Sequence, residues 1–274
     1  MPCRLTLTLA SPKVKVMQIQ DHTFLVTGAA SGLGAAVAQD FVRRGARVLL
    51  ADLAAEQGAR LAAQLGKAAH FVSTDVCHEE SAQAAVDAAV AAFGGLHGLV
   101  NCAGVAPAEK VLGKEGPHRL ASFQKVVSIN LIGSFNMIRL AAQAMVQTDQ
   151  KSGGSEPVAG VIVNTASVAA YEGQVGQAAY AASKGGVVAM TLPIARELAR
   201  SRIRIMTIAP GIMATPMLLA MPQEVQDSLN KSVPFPQRMG MPEEFSRLVA
   251  DVIENDYLNG EVIRIDGAIR MSGK

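Results

Sequence analysis

What is scarce in this sequence excludes several kinds of protein. Only three cysteines, Cys3, Cys77 and Cys102, occur among the 274 residues. They show no paired spacing and no CxxC motif, so we expect neither structural disulfides nor a zinc site, and no metal ion in the functional site. No stretch approaches the roughly 18 unbroken apolar residues that a membrane helix needs, so we expect no membrane association.

An excess of charge of one sign is also lacking. The 25 basic and 23 acidic residues leave a net charge of +2, with no basic stripe or tail. The charge pattern therefore does not indicate a nucleic-acid partner. The cysteine usage suits a reducing compartment, and we expect a cytoplasmic protein, with the mitochondrial matrix as the alternative in a eukaryote.

The first 20 residues differ from the rest of the chain. Arg4, Lys13 and Lys15 precede the first acidic residue, Asp21, which gives the segment some character of a transit peptide. We favour the simpler interpretation, in which residues 1–20 are a short N-terminal extension and residues 21–274 form one domain. A chain of this length suffices for one large α/β domain and hardly for two.

Strand-like apolar runs alternate with alanine-rich helical stretches along the remaining chain. The predicted strands are Thr23–Thr27, Arg47–Ala51, His70–Ser73, Gly98–Asn101, Gly160–Asn164, Ile203–Ile208 and Glu261–Ile265. Helices are predicted at about Gly32–Arg44, Ala54–Leu65, Glu79–Phe93, Leu120–Val146, Ala179–Ala199 and Pro242–Ile253. Such alternation favours a parallel sheet covered by helices on both faces, and right-handed crossovers make it a doubly wound sheet of the Rossmann type.

Two stretches break this alternation. Val105–Arg119 is a polar insertion after the fourth strand, and Gly211–Pro236 is rich in Met, Leu and Pro. Both leave the carboxyl edge of the predicted sheet, where ligands bind in folds of this type. We therefore expect both to be substrate loops.

A glycine-rich turn follows the first strand directly. Gly28, Gly32 and Gly34 let the backbone turn sharply and approach a pyrophosphate closely. The helix that starts there offers free N–H groups and the positive end of its dipole. Its position between a strand and a helix predicts a dinucleotide-binding loop rather than an ordinary turn.

Asp52 ends the second strand, 18 residues after Gly34. A carboxylate there can bind both ribose hydroxyls of adenosine and would repel a 2′-phosphate, so NAD is favoured over NADP. The alternative is an aspartate that only caps the following helix. Asp75 and Val76 follow the third strand, where the edge of an adenine would lie.

Small residues end the fourth strand and would let a cofactor pass over the edge of the sheet. They are Asn101, Cys102, Ala103 and Gly104. We interpret Cys102 as a small packing residue rather than a nucleophile, because no histidine follows at a useful place.

A polar set in the second half of the chain predicts proton-transfer chemistry. Tyr180 and Lys184 stand four apart at the start of a helix and share one face, so the ammonium can lower the pKa of the phenol. Taken alone, the pair would be ordinary surface residues. Ser167, at the carboxyl edge of the fifth strand, can hold a substrate oxygen beside Tyr180. Asn130, inside a long helix, can open it for a bound water.

These motifs together resemble the short-chain dehydrogenase/reductase family. The likeness covers about residues 21–270 and rests on TGAASGLG, NCAG, the Asn130–Ser167–Tyr180–Lys184 set, and Pro210-Gly211 with Thr215. The resemblance implies that Tyr180 is the acid/base and Ser167 the oxyanion partner. It further implies that Lys184 binds ribose, that Asn130 holds a relay water, and that Pro210, Thr215 and the backbone near Met213 hold the nicotinamide.

A narrower likeness is to the type II 3-hydroxyacyl-CoA dehydrogenases, which include 2-methyl-3-hydroxybutyryl-CoA and 17β-hydroxysteroid dehydrogenase activities. It is carried by NTASVAAYEGQVGQAAYAASKGG, TLPIARELA, MTIAPGIMATPML, VPFPQRMG and NGEVIRIDGAIRM. The NAD contacts that this likeness implies are Ser31, Leu33, Asp52, Asp75, Val76, Cys102, Met213 and Thr215. It also implies a homotetramer in fatty acid metabolism that converts 3-hydroxyacyl-CoA to 3-oxoacyl-CoA.

Two alternatives stay open at the level of sequence. One keeps the mechanism but uses a steroid or another hydrophobic secondary alcohol, since Met213, Met217 and Leu218 suit a flat apolar substrate as well as simple packing. The other is a non-catalytic scaffold that binds NAD and partner proteins. The intact set around Tyr180 and Lys184 argues against the scaffold.

Overall fold

Seven parallel strands form the centre of the molecule. The computed structural model describes residues 16–154 and 157–273. In order along the chain, the elements of the main sheet and its helices are β1 (Thr23–Thr27), α1 (Gly32–Arg43), β2 (Arg47–Asp52), α2 (Ala55–Leu65), β3 (Ala69–Ser73), α3 (Glu79–Phe93), β4 (Gly98–Asn101), α4 (Leu120–Val127), α5 (Gly133–Lys151), β7 (Gly160–Thr165), α6 (Ala178–Leu198), β8 (Ile203–Pro210), α7 (Pro216–Leu219), α8 (Gln223–Ser232), α9 (Pro242–Ile253) and β9 (Val262–Ile265). A two-stranded hairpin, β5 (Leu112–Gly113) and β6 (Gly116–Pro117), lies between β4 and α4.

The strand order places a switch point at the middle of the sheet. The order is β3-β2-β1-β4-β7-β8-β9, and every pair in this sheet is parallel. The chain thus winds one way from β1 and the other way from β4, which opens a crevice between their carboxyl ends. The predicted doubly wound parallel sheet is confirmed, and the predicted strands agree with the observed ones to within two residues at each end.

Alternation along each strand divides the core into two layers. Phe24 and Val26 of β1 pack with α1 and α9, whereas Leu25 packs on the other face with α3 and α5. All three side chains are fully buried, which stabilises the fold by about 1.5–3 kcal/mol for each. Because both faces are covered, the sheet edge at the carboxyl ends of the strands is what remains for ligands.

The predicted single helix over Leu120–Val146 is wrong in detail. The structure divides it into α4 and α5, which continues to Lys151, with a π-helical turn at Ser128–Ile132 between them. Asn130 lies inside that turn. A π turn widens the helix by one residue and is frequent at functional sites, so the sequence expectation that Asn130 opens the helix has a structural counterpart.

The two predicted substrate loops contain regular structure that their composition did not indicate. The hairpin β5–β6 lies within residues 105–119, and α7 and α8 lie within residues 211–236. Short elements of this kind depend on contacts outside their own sequence, because helices and hairpins of a few residues are marginal alone.

At the amino terminus, the described chain begins against the core. Met17 and Ile19 are buried in it, and the N–H of Met17 donates to both carboxylate oxygens of Asp256 at 3.3 Å. Residues 1–15 of the predicted extension lie outside the described residues, and the division at residue 21 stays a prediction. No helix in the described part of the chain is long and apolar enough to cross a membrane.

Candidate active site

The loop after β1 takes its shape from residues that lack side chains. A Cβ on Gly34 would lie 2.2 Å from the carbonyl oxygen of Gly28, and one on Gly28, whose φ is +63°, would lie 2.8 Å from the backbone of Cys102. Neither distance is compatible with a side chain. The loop therefore folds tightly at the start of α1 and leaves the N-terminus of that helix facing the crevice, as an anion site requires.

Asp52 reaches back from the end of β2 to this loop. One carboxylate oxygen accepts the N–H of Ala30 at 2.9 Å and the other accepts the N–H of Ala54 at 2.9 Å. The hydrogen bond to Ala54, which lies just before α2, agrees with the alternative in which Asp52 caps that helix. Each oxygen can accept more than one hydrogen bond, so the carboxylate can still receive ribose hydroxyls.

Thr27 joins the ends of the two strands beside the switch point. Its hydroxyl accepts the N–H groups of Cys102 and Ala103, both at 3.1 Å, and lies 3.5 Å from the Asn101 side chain. The Asn101 amide donates to Asn164 Oδ1 at 3.0 Å. These hydrogen bonds hold Cys102 and Ala103 close to the glycine loop after β1. Sequence analysis did not single out Thr27, although its place at the last position of β1 was a usable signal.

Asp75 and Val76 lie beyond β3, as predicted. The Asp75 carboxylate accepts the N–H of Cys77 at 2.9 Å, and Val76 is buried. The carbonyl oxygen of Val76 accepts the side-chain amide of Asn136 from α5 at 3.0 Å. These contacts fix the rim of the crevice on the β3 side.

Cys102 is a packing residue in the structure, as its sequence context suggested. Burial raises the pKa of its thiol to about 11, so the group stays protonated at neutral pH. The Thr165 hydroxyl donates to Cys102 Sγ at 3.6 Å.

Tyr180, Ser167 and Lys184 come together at the carboxyl end of β7. The Ser167 hydroxyl is near enough to Tyr180 to lower the pKa of the phenol, and Lys184 Nζ lies 5.9 Å from the centroid of the Tyr180 ring. Ser167 also begins the 3₁₀ turn Val168–Ala170, where its Oγ accepts the N–H of Ala169 at 3.1 Å. The structure thus brings the two side chains near each other, although they are 13 positions apart in the sequence.

Lys184 is buried and anchored. Its Nζ donates to the carbonyl oxygen of Thr165 at 2.6 Å, and burial lowers its pKa to about 8. For Tyr180, burial raises the pKa of the phenol and the Ser167 hydrogen bond partly offsets this. The expectation that Lys184 lowers the pKa of Tyr180 stays a prediction. Thr165 was missed by sequence analysis because its contribution is a backbone carbonyl.

Asn130 connects the π turn to the start of the insertion. Its side chain accepts the N–H of Val105 at 2.8 Å, donates to the Val105 carbonyl at 2.9 Å, and donates to Ser183 Oγ at 3.0 Å. Its own carbonyl oxygen accepts the hydroxyl of Ser134 at 2.7 Å. Ser183, between Tyr180 and Lys184 on the helix, is a third residue that sequence analysis missed.

The segment after β8 closes the crevice from the far side. Pro210 ends the strand, Met213 is buried and bridges to Gly240, and Thr215 precedes α7. A Cβ placed on Gly32 would lie 3.6 Å from Cγ2 of Thr215, so the glycine loop and this segment face each other. Met217 lies in α7, whose bounds are Pro216–Leu219.

The insertion after β4 is held to the loop before α6. The N–H of Glu109 donates to the carbonyl oxygen of Gly176 at 2.8 Å, and the Glu109 carboxylate forms an ion pair with Arg119 at 3.0 Å. A groove of about 430 Å³ lies between these two segments, and Lys110, Val111 and Val175 are among the residues that line it. The insertion therefore borders the entrance next to the helix that carries Tyr180.

A glycine loop at the switch point, with a tyrosine and a buried lysine on the opposite wall, is typical of oxidoreductases that use a nicotinamide dinucleotide. Comparison with known proteins agrees. The family model of the short chain dehydrogenases matches residues 22–226, and the chain belongs to this family. It is therefore an oxidoreductase, and its family implies a nicotinamide dinucleotide as cofactor and a small molecule as substrate.

Several relatives of the chain share one name. The 3-hydroxyacyl-CoA dehydrogenase type-2 of Bos taurus is 54% identical over 249 residues, which cover 90% of this chain and 94% of that protein. The protein of the same name from Homo sapiens is 52% identical over 249 residues, with 90% and 94% covered. A crystal structure of 3-hydroxyacyl-CoA dehydrogenase type-2 from Mycobacterium avium matches with a TM-score of 0.85 and 39% identity, covering 92% of this chain and 97% of that one.

The residues present fit a nicotinamide dinucleotide. The tight turn at Gly28 and Gly34 admits a pyrophosphate, and the carboxylate of Asp52 can receive ribose hydroxyls. Lys184 carries an amine at the opposite wall of the crevice. Among the described residues no cluster of His, Cys, Asp and Glu could hold a metal ion.

Proposed function

We propose that the chain oxidises the 3-hydroxyl group of a 3-hydroxyacyl-CoA to the 3-oxo group, with NAD as hydride acceptor. The observation that carries this proposal is the grouping of the Tyr180 and Ser167 side chains beside the buried amine of Lys184. The substrate class is supported by the relatives named 3-hydroxyacyl-CoA dehydrogenase type-2, at 54% and 52% identity.

In this proposal Tyr180 removes the proton of the substrate hydroxyl, and Ser167 donates a hydrogen bond that holds the same oxygen. A nicotinamide dinucleotide bound in the crevice would supply the redox chemistry as hydride acceptor. Lys184 holds the ribose and keeps a positive charge near Tyr180, which favours the phenolate. Asn130 holds a proton-relay water at the π turn.

The choice of NAD rests on Asp52. Its carboxylate lies beside the glycine loop at the end of β2, held by the N–H groups of Ala30 and Ala54. A 2′-phosphate on the adenosine ribose would bring two negative charges against it. The remaining proposed NAD contacts are Gly28, Ser31, Gly32, Leu33, Gly34, Asp75, Val76, Asn101, Cys102, Ala103, Gly104, Tyr180, Lys184, Pro210, Met213 and Thr215.

The proposed assembly is a homotetramer. Ile132 and Phe135 at the start of α5, and Leu192 on α6, are exposed apolar side chains on the two long alanine-rich helices. Covering them on a second copy would remove apolar area from water. A monomer at micromolar concentration in light scattering would contradict this proposal.

The cytoplasmic location and the part in fatty acid metabolism stay predictions. Cell fractionation checks the location, and a ranking of substrates by kcat/KM checks the metabolic part.

A substrate panel with one matched pair of variants tests the proposed function. We expect 3-hydroxyacyl-CoA thioesters with NAD to give a higher kcat/KM than steroids, simple secondary alcohols, or the same thioesters with NADP. Tyr180→Phe should lower kcat by about 100-fold or more while cofactor still binds. Tyr257→Phe, at a side chain that is 99% exposed, is the control and should leave both unchanged.

Each other outcome has one meaning. A steroid at the top of the ranking would replace the acyl-CoA proposal with the hydroxysteroid alternative. Equal use of NADP would contradict the role of Asp52. Full activity in Tyr180→Phe would overturn the mechanism, and cofactor binding with no turnover of any substrate would favour the non-catalytic scaffold.

A further inference from the structure

The loop that joins Ser167 to Tyr180 is held by the other end of the chain. Two carboxylates and two arginines form a cluster there, which we call the C-terminal clasp: Glu172 from the loop, Arg264 from β9, and Asp266 and Arg270 from the segment after it. None of the four belongs to the proposed catalytic or cofactor-binding set.

Glu172 is the centre of this clasp. Its two carboxylate oxygens accept Nη1 and Nη2 of Arg264 at 2.8 and 3.2 Å, a bidentate pair. They also accept the N–H of Met271 at 3.0 Å and lie 3.3 Å from Nε of Arg270. Bidentate, charge-assisted hydrogen bonds of this kind fix orientation as well as distance, so the carboxylate fixes the loop against the C-terminal segment.

Asp266 holds the C-terminal segment in the shape that reaches the loop. Its carboxylate accepts Nε of Arg264 at 2.7 Å, Nη1 of Arg270 at 3.2 Å and the N–H of Ala268 at 3.0 Å. Ala268 has a φ of +66°, a left-handed conformation that an alanine adopts only when its surroundings impose it. The turn is therefore stabilised by the Asp266 carboxylate, which the two arginines also hold in place.

Beyond the charged cluster, the two segments are also joined through their backbones. The N–H of Val175 donates to the carbonyl oxygen of Gly273 at 3.1 Å, and Nε2 of Gln174 donates to that of Ser272 at 3.2 Å. On its other side the loop packs closely on α6. A Cβ on Gly173 would lie 2.9 Å from Cβ of Ala181, the residue after Tyr180. A shift of the loop would therefore be passed directly to Tyr180.

We propose that Glu172 is a positioning residue: by holding residues 264–273 against the loop, it keeps the Ser167 and Tyr180 side chains at the separation that the proposed reaction needs. The inference rests on the proposed roles of those two hydroxyls. Ser167 begins the 3₁₀ turn that leads into Glu172, whose N–H donates to the carbonyl of Val168 at 3.0 Å. Each end of the loop thus carries one hydroxyl, and the clasp holds the loop between them.

Glu172→Gln tests this by removing the charge and keeping the shape. We expect kcat to fall about tenfold, because a small displacement of reacting groups is costly, while KM changes less than about twofold. Both are measured with a 3-hydroxyacyl-CoA and with an uncharged secondary alcohol. Each kcat is referred to the number of cofactor-binding chains, found by titration, so that partial unfolding does not imitate the effect.

Hydrogen exchange supplies a readout apart from activity. The amide of Val175 should exchange faster in Glu172→Gln than in the unaltered chain, while the amides of α1 stay protected. Asp149→Asn is the matched control, since Asp149 also pairs with an arginine, Arg202, at the opposite end of the sheet. It should change neither kcat nor the exchange of Val175.

If Glu172→Gln does not fold, Arg270→Gln tests the positioning role of the clasp instead. Its guanidinium is more exposed, so we expect a smaller fall in kcat, about threefold, at unchanged KM. Unaltered kcat in the folded variants, or a rise of KM with kcat preserved, would overturn the inference. If Tyr180→Phe stays fully active, the proposed function fails instead. An inactive Tyr180→Phe beside a fully active Glu172→Gln refutes the clasp alone.

Discussion

Two loops at the carboxyl edge of the sheet face the same crevice and are held in opposite ways. The loop after β1 is shaped by missing side chains within seven residues, since a Cβ on Gly34 would collide with the carbonyl oxygen of Gly28. The loop between Ser167 and Tyr180 is held by polar groups from far along the chain, at Glu109 and at residues 264–273. The first depends on local backbone geometry and the second on tertiary contacts, so substitutions should affect them differently.

The largest effect should follow from adding one methyl group to the glycine loop. In Gly34→Ala the Cβ would lie 2.2 Å from the backbone carbonyl oxygen of Gly28. Because this atom belongs to the backbone and not to a flexible side chain, only a movement of the loop itself can relieve the clash. We expect cofactor affinity to fall about 100-fold, roughly 3 kcal/mol, as the loop moves. Calorimetric titration with NAD measures this.

The control for that substitution is Gly185→Ala. A Cβ on Gly185 meets nothing closer than the carbonyl oxygen of Ala170 at 4.0 Å, and the residue lies in α6. It should bind cofactor normally and gain up to about 1 kcal/mol from better helix propensity. Normal affinity in Gly34→Ala would contradict the account of the loop.

A smaller effect concerns the buried amine at the second loop. Burial lowers the pKa of Lys184 to about 8, below its value of about 10.4 in an unfolded chain. Between these values the unfolded chain binds more protons, so stability rises with pH in that window. We expect the cofactor-free protein to gain about 2 kcal/mol relative to Lys184→Met between pH 7.5 and 9.5.

Urea denaturation at several pH values measures this difference. Cys77, whose pKa burial raises to about 11, is present in both proteins and cancels. Lys67→Met, at an exposed lysine, is the control and should keep the slope of the unaltered chain. If the free energy of unfolding depends on pH in the same way in the unaltered chain and in Lys184→Met, burial does not lower the pKa of Lys184.

The smallest effect concerns the rim of the insertion. Lys110 and Lys114 are exposed, and Lys110 lines the groove beside the loop before α6. Phosphates of a coenzyme A thioester must lie outside the apolar pocket, where flexible lysines can meet them at about 1 kcal/mol or less for each contact. Neutralising both to Gln should raise KM for acyl-CoA several-fold and leave KM for an uncharged alcohol unchanged.

High salt should weaken this effect, because exposed charges are screened. Lys67→Gln, also exposed, is the matched control. An equal rise of KM for both substrates would mean that the insertion acts through its fold or closure. No change for either would leave the acyl-CoA proposal without support from these charges.

Prediction from sequence was strong where the signal is local. The seven strands, their parallel order and the glycine loop follow from alternation over a few residues and from glycines at fixed offsets. The place of Asp52 at the end of β2 also follows from spacing, and its role toward the cofactor stays a prediction. Its second contact, with the N–H of Ala30, could not be predicted, since it joins residues 22 positions apart.

What only the tertiary structure decided is how the groups of the site are held. The π turn around Asn130 depends on Val105 and Ser183, and Lys184 is anchored by a backbone carbonyl at Thr165. Glu172 meets residues 92 and 99 positions away. Nothing in the local sequence marks such partners, because a contact between distant residues exists only after the sheet has brought the ends of its strands to one edge. The sequence by itself thus determined the scaffold and the types of reacting group, whereas folding decided their burial, their pKa directions and the contacts that hold them.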